Sequence, residues 1–68
     1  MIRREEEFQE ILVMADLPRD EYLAVMGYVI EERSYMETGR RIGKSTKETQ
    51  ELVRVGLEKL REKLEDRR

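Results

Sequence analysis

A chain of 68 residues with no cysteine and no histidine has no disulfide, thiolate metal site, thiol nucleophile or imidazole base to draw on, which excludes most hydrolytic chemistry. Charged residues make up 44% of it and aromatics 6%, a balance that points to short helices with wet faces in one small all-α domain rather than to sheets. The formal net charge of −2 hides a split, because residues 1–37 carry four basic and ten acidic side chains, a balance of −6, whereas residues 38–68 carry ten basic and six acidic, a balance of +4.

The N-terminus reads Met-Ile-Arg-Arg-Glu-Glu-Glu, and the apolar run after it is broken by Gln9, Glu10 and Asp16. Neither a signal peptide nor a membrane span fits, so the expected location is the cytoplasm. The spacing predicts a first helix over Arg3 to Asp16, with Phe8, Ile11, Leu12 and Ala15 on its inner face and acids in its first turn, where the helix dipole favours them. Glu5, Glu6 and Glu7 are consecutive and therefore point around a helix instead of converging, so no metal is implied. Leu17-Pro18 ends the helix, since the residue before proline is pushed out of the helical region, and proline suits the first turn of a second one. That second helix is expected to run to about Glu32, with Tyr22, Val25, Met26, Val29 and Ile30 inward and Gly27 weakening it slightly.

Two helix-start signatures follow, eleven residues apart: Ser34 with Glu37, and Ser45 with Glu48. In each, the serine hydroxyl is placed to accept from the third helical amide and the glutamate to reach back to the serine amide, a capping box. They predict a third helix over Tyr35 to Ile42, too short to stand without packing, and a fourth from Thr46 to about Asp66. Gly43 lies where the chain must turn left-handed on leaving the third helix. Gly39, in mid-helix at a cost of about 1 kcal/mol relative to alanine, makes sense where the fourth helix crosses too closely for a methyl group. Along the fourth helix Leu52, Val53, Leu57, Leu60 and Leu64 are expected inward, and the last of these could extend as a short two-stranded seam. The arrangement over 34–62 is that of a helix-turn-helix, whose second helix enters the major groove in many DNA-binding proteins.

From about Ile11 to Glu62, three quarters of the sequence, the chain resembles region 4 of bacterial sigma factors and the related sigma-like phage regulators, without a gap. The landmarks are Met14 and Leu17-Pro18, Ser34-Tyr35, Ile42-Gly43, Ser45, and Gly56-Leu57-Glu58-Lys59-Leu60-Arg61, where the family often has Ala-Leu-x-x-Leu-Arg. Three positions depart from the pattern. Thr38 replaces a branched apolar residue, Lys44 a hydrophobic turn residue and Thr49 a buried valine or isoleucine, which makes the core around the turn poorer than usual. Thr46-Lys47 and Gln50-Glu51 stand where housekeeping members carry Arg-Glu and Arg-Gln, so a promoter read by this chain would have another sequence.

The resemblance implies a transcription regulator that reads double-stranded DNA, as a homodimer or while docked on RNA polymerase. Thr46, Lys47, Gln50, Glu51 and Arg54 are the candidate base readers: Gln50 suits adenine, Glu51 cytosine, and Lys47 a guanine or phosphate. Arg40, Arg41 and Lys44 are the candidate phosphate contacts, giving affinity and register without sequence information. In the alternative reading the sigma-like module engages polymerase or another regulator through its acidic N-terminal half or apolar grooves, with Glu31 and Glu32 as docking charges, and reads no DNA. Leu57, Leu60 and Leu64 are the candidate contact with a second copy or a larger partner. A purely structural helical domain is the third. Tyr28 and Tyr35 are expected at the core or its rim. With no phosphate loop and no nucleophile beside a base, neither an enzyme, a cofactor nor a small-molecule substrate is implied.

Overall fold

The computed structural model describes residues 4–66, and among them the chain is all-helical, with four helices and no strand. α1 spans Arg4–Met14; α2 spans Arg19–Val25 and continues as a π-helical turn, Met26–Ile30; α3 spans Tyr35–Ile42 and α4 Thr46–Asp66. The expected start of the first helix at Arg3 lies outside the described residues. None of these helices is long and apolar enough to cross a membrane.

α1 stops short of Asp16. The Ala15 amide still donates to the Ile11 carbonyl at 2.9 Å, but Asp16 turns left-handed at φ 54, a conformation that aspartate tolerates better than most side chains. Pro18 then caps α2 rather than entering it, and its carbonyl accepts from the Tyr22 amide at 3.0 Å.

The second helix ends at Ile30, not near Glu32, and its last turn is widened. The Glu31 amide donates to the Met26 carbonyl five residues back, and the Arg33 amide to the Gly27 carbonyl six residues back, both at 3.0 Å, with Glu32 left-handed at φ 54. This is the usual left-handed helix closure with one extra residue in the turn.

α4 is the spine on which α2 and α3 pack most closely, with α1 touching it least. Leu12 and Ala15 of the first helical segment, Val25 and Leu60 form a buried cluster, and Phe8, Ile11, Leu17, Tyr22, Met26 and Val29 are partly buried around it. Ala24 and Val53 are buried as well. Two of the leucines expected inward are not: Leu57 is 36% and Leu64 46% exposed, while Leu60 is 2% exposed. Val53, Gly56 and Leu60 share the inner side of α4, Leu57 falls one residue beyond Gly56, about 100° further round the helix, and Leu64 lies a turn past Leu60 in the stretch 61–65 that is exposed throughout. A Cβ at Gly56 would lie 2.7 Å from Val25 Cγ2, so α2 crosses the spine at the one point where it carries no side chain.

Only three residues, Gly43 to Ser45, join α3 to α4. Gly43 is left-handed at φ 72, and the amides of Gly43 and Lys44 both turn back to the Gly39 carbonyl, the latter at 2.8 Å. The close crossing expected at Gly39 is present, since a Cβ there would lie 2.6 Å from both the Lys44 carbonyl oxygen and Thr49 Oγ1. Thr38 and Thr49 are buried on either side of that crossing. The Thr49 hydroxyl donates to the Ser45 carbonyl at 2.8 Å, whereas the Thr38 hydroxyl has no partner among the described residues.

The two capping boxes differ. At α4 both bonds form: the Glu48 amide donates to Ser45 Oγ and the Ser45 amide to Glu48 Oε1, each at 3.0 Å. At α3 the Glu37 amide donates to Ser34 Oγ at 3.1 Å, but the Glu37 carboxylate pairs with Arg41 Nε at 3.3 Å instead of returning to the cap.

Candidate functional site

Thr49 and Val53 anchor the start of α4 from below, and this leaves Thr46, Lys47, Gln50, Glu51 and Arg54 exposed on the opposite side. None of the five has a packing duty. Lys47, Gln50, Glu51 and Arg54 line an open groove between the outer face of α4 and the start of α3, together with Tyr35 and Leu57. The sequence places the last two elsewhere, Tyr35 at the core or its rim and Leu57 inward. Tyr35 enters the groove because its ring lies flat against Tyr28, the centroids 4.0 Å apart and the planes within 1° of parallel. These two residues sit on different helices, so no spacing along the chain announces their contact. Hydrogen bonding with Tyr28, and then burial, push the Tyr35 hydroxyl above its ordinary pKa.

Within the groove Arg54 is fully engaged by its own helix. Arg54 donates through Nε to Glu51 Oε2 at 3.1 Å and through Nη1 to Glu58 Oε2 at 3.0 Å, and Nη2 also reaches Glu51. These hydrogen bonds hold the Glu51 carboxyl below its ordinary pKa and raise that of Arg54. Glu48 is likewise lowered, first by the Ser45 amide, then by the Ser45 hydroxyl, with Lys44 adding a smaller attraction. It is therefore the acidic half of the cap that starts α4.

The three expected phosphate contacts do not act as one patch. Arg40 is exposed and makes no ion pair among the described residues, and the same is true of Lys47. Arg41 faces Glu37 and lines a different crevice, behind α3. Lys44 is drawn back toward α2, its Nζ 3.5 Å from Asp20 Oδ2.

The expected partner-binding residues separate in the same way. Glu31 is exposed but paired with Arg33 Nε at 3.2 Å, and Glu32 is the exposed left-handed residue that closes the π-turn. Leu57 and Leu64 are open to a partner, whereas Leu60 belongs to the core and is unavailable for the seam that the three were expected to form. The most exposed apolar pair was not anticipated as a surface at all: Val13 and Met14, on the outer face of α1 beside Glu6, Gln9 and Glu10. The inward spacing of Phe8, Ile11, Leu12 and Ala15 already leaves both residues on the outer side of the helix.

No protein-family model, curated protein or solved structure matches this chain.

Proposed function

We propose that this chain is a sigma-region-4-like helix-turn-helix that binds duplex DNA in a sequence-dependent manner, with the first turns of α4 as its reading surface. The observation that supports this best is the division of labour in those turns: Thr49 and Val53 are buried, and Thr46, Lys47, Gln50, Glu51 and Arg54 stand outward on a helix held at its root by the Gly39 crossing and the reciprocal Ser45–Glu48 cap. A helix presented in this way suits the major groove, where Gln50 would pair with adenine and Glu51, already oriented by Arg54, would accept from cytosine. Thr46 offers a hydroxyl and a methyl group to neighbouring bases.

The charge pattern sets the strength of the interaction. Arg40 and Lys47 are free to meet phosphates, and Arg41 and Lys44 reach them by giving up exposed ion pairs, which are individually worth only about 0 to 1 kcal/mol. Two to four neutralised phosphates correspond to a slope of about −2 to −4 in log affinity against log salt concentration. One copy is therefore a weak reader, and binding to a promoter would need a second copy or RNA polymerase as a partner. Fluorescence anisotropy with short randomised duplexes across a salt series tests this reading. The expected result is binding at low salt with that slope, reduced by about one unit in Lys47→Ala. No binding at low salt contradicts it.

A second reading, a module that engages polymerase or another regulator, draws on a separate observation: Val13 and Met14 are more than 60% exposed beside acidic Glu6 and Glu10. An apolar patch with an acidic rim suits a basic protein partner better than DNA.

A further inference from the structure

Behind α3, on the side away from the reading face, Tyr22, Leu23, Met26 and Ile42 wall a crevice whose charged lining residues are Arg33, Arg41 and Glu31. Three departures from regular structure meet there. The π-turn Met26–Ile30 supplies Met26 and Gly27 to its wall, and the closure of that turn through left-handed Glu32 sets Glu31 and Arg33 at its mouth. Thr38, the third departure, is 1% exposed, belongs to the lining of the same crevice, and has a buried hydroxyl beside Gly27 with no hydrogen-bond partner among the described residues. An unpartnered buried hydroxyl, a widened helical turn and a non-glycine residue at positive φ each lower stability, and such features collect where structure serves binding.

We infer that this crevice is a binding site for a small organic anion with an apolar body, such as a short-chain carboxylate. Its volume of about 240 Å³ has room for roughly eight water-sized groups at about 30 Å³ each, below the range of drug-sized pockets. The apolar walls receive the carbon chain. The lining carries two guanidiniums against one carboxylate, so the head group that fits is negative. Arg33 meets Glu31 through Nε, and Arg41 meets Glu37 through Nε, both in partly exposed pairs, and a guanidinium with five donors keeps capacity for a further acceptor. The Thr38 hydroxyl, packed beside Gly27 in the crevice wall, is a donor that nothing among the described residues uses, and it reaches an occupant only by a small shift of that wall. The site shares Arg41 with the proposed phosphate contacts and none of the proposed base readers.

Amide NMR of the labelled chain, titrated separately with hexanoate and with hexylamine, tests the assignment. Hexanoate should give saturable shifts in the millimolar range centred on Gly27, Arg33, Thr38 and Ile42, and hexylamine should not. Arg33→Gln combined with Arg41→Gln should weaken hexanoate about tenfold, with circular dichroism showing the helices intact. Thr38→Val should unfold at higher temperature than the parent yet bind hexanoate several-fold more weakly, whereas Thr38→Ser should keep the affinity. Hexanoate shifts that do not saturate, an equal response to hexylamine, or undiminished affinity in the double arginine variant overturns the inference. No DNA is present in any arm, so the outcome is separate from that of the DNA-binding reading.

Discussion

Thr38 and Gly39, adjacent in sequence, carry opposite consequences for stability. The Thr38 hydroxyl is buried without a partner, and Val has nearly the same shape, so Thr38→Val should raise the stability of the free chain by about 1 kcal/mol. A shift of the urea midpoint to higher concentration at constant slope would be the sign. Gly39→Ala gains about 1 kcal/mol of helix propensity but drives a methyl group to 2.6 Å from the Lys44 carbonyl oxygen, a backbone atom that cannot swing away. Overpacking of this kind costs about 1 to 3 kcal/mol, so the same measurement should show a net loss. Both residues were noticeable in the sequence, Thr38 as a polar residue at an apolar position and Gly39 as a glycine in mid-helix. Their environments were not equally legible, because a glycine in a helix asks for a reason in packing, whereas a threonine does not reveal whether its hydroxyl finds an acceptor. Thr49 is the counterexample, equally buried and satisfied by the carbonyl four residues back.

Among the elements, the starts of α3 and α4 share a capping signature but not a cap. Because Ser45 and Glu48 bond reciprocally and Glu37 turns to Arg41, Ser45→Ala should destabilise the chain more than Ser34→Ala, within the range of about 0.5 to 2 kcal/mol for such substitutions. Thermal melts of the two variants give the comparison. The lowered pKa of Glu48 adds a pH dependence with a definite sign. A carboxyl held below its unfolded value contributes stability that is present above that value, ordinarily about 4.3, and is lost as pH falls through the folded value. Glu48→Gln should therefore narrow the difference in melting temperature between neutral pH and pH near 3. Helix positions were readable from apolar spacing and from these serines. The π-turn was not, since one extra residue per turn at the end of the second helix leaves Tyr22, Val25, Met26 and Val29 in nearly the same stripe, and shows only in where the Glu31 and Arg33 amides donate.

In the whole molecule, α4 holds the fold together and also carries the proposed reading face, so its inner and outer sides can be separated by mutation. Lys59 Nζ lies 2.9 Å from Glu21 Oε1, and the Glu21 side chain is only 12% exposed, whereas Arg61 and Glu65 pair in the open. Lys59→Ala should thus cost more than Arg61→Ala, because it strands a largely buried carboxylate, and urea denaturation of the two variants would rank them. The all-helical architecture followed from composition, and the asymmetry of charge from the order of residues along the chain. What composition could not supply was the rotation of α4, which puts Leu60 in the core and opens Leu57.

The central claim concerns which side of α4 meets a ligand, and the most direct test is an amide NMR titration of the labelled chain with a pool of short randomised duplexes at low and moderate salt. The account predicts shifts concentrated on Thr46 to Arg54, with Arg40 and Arg41 following and all of them weakening as salt rises. No shifts at low salt, or shifts confined to α1 around Val13 and Met14, would contradict it.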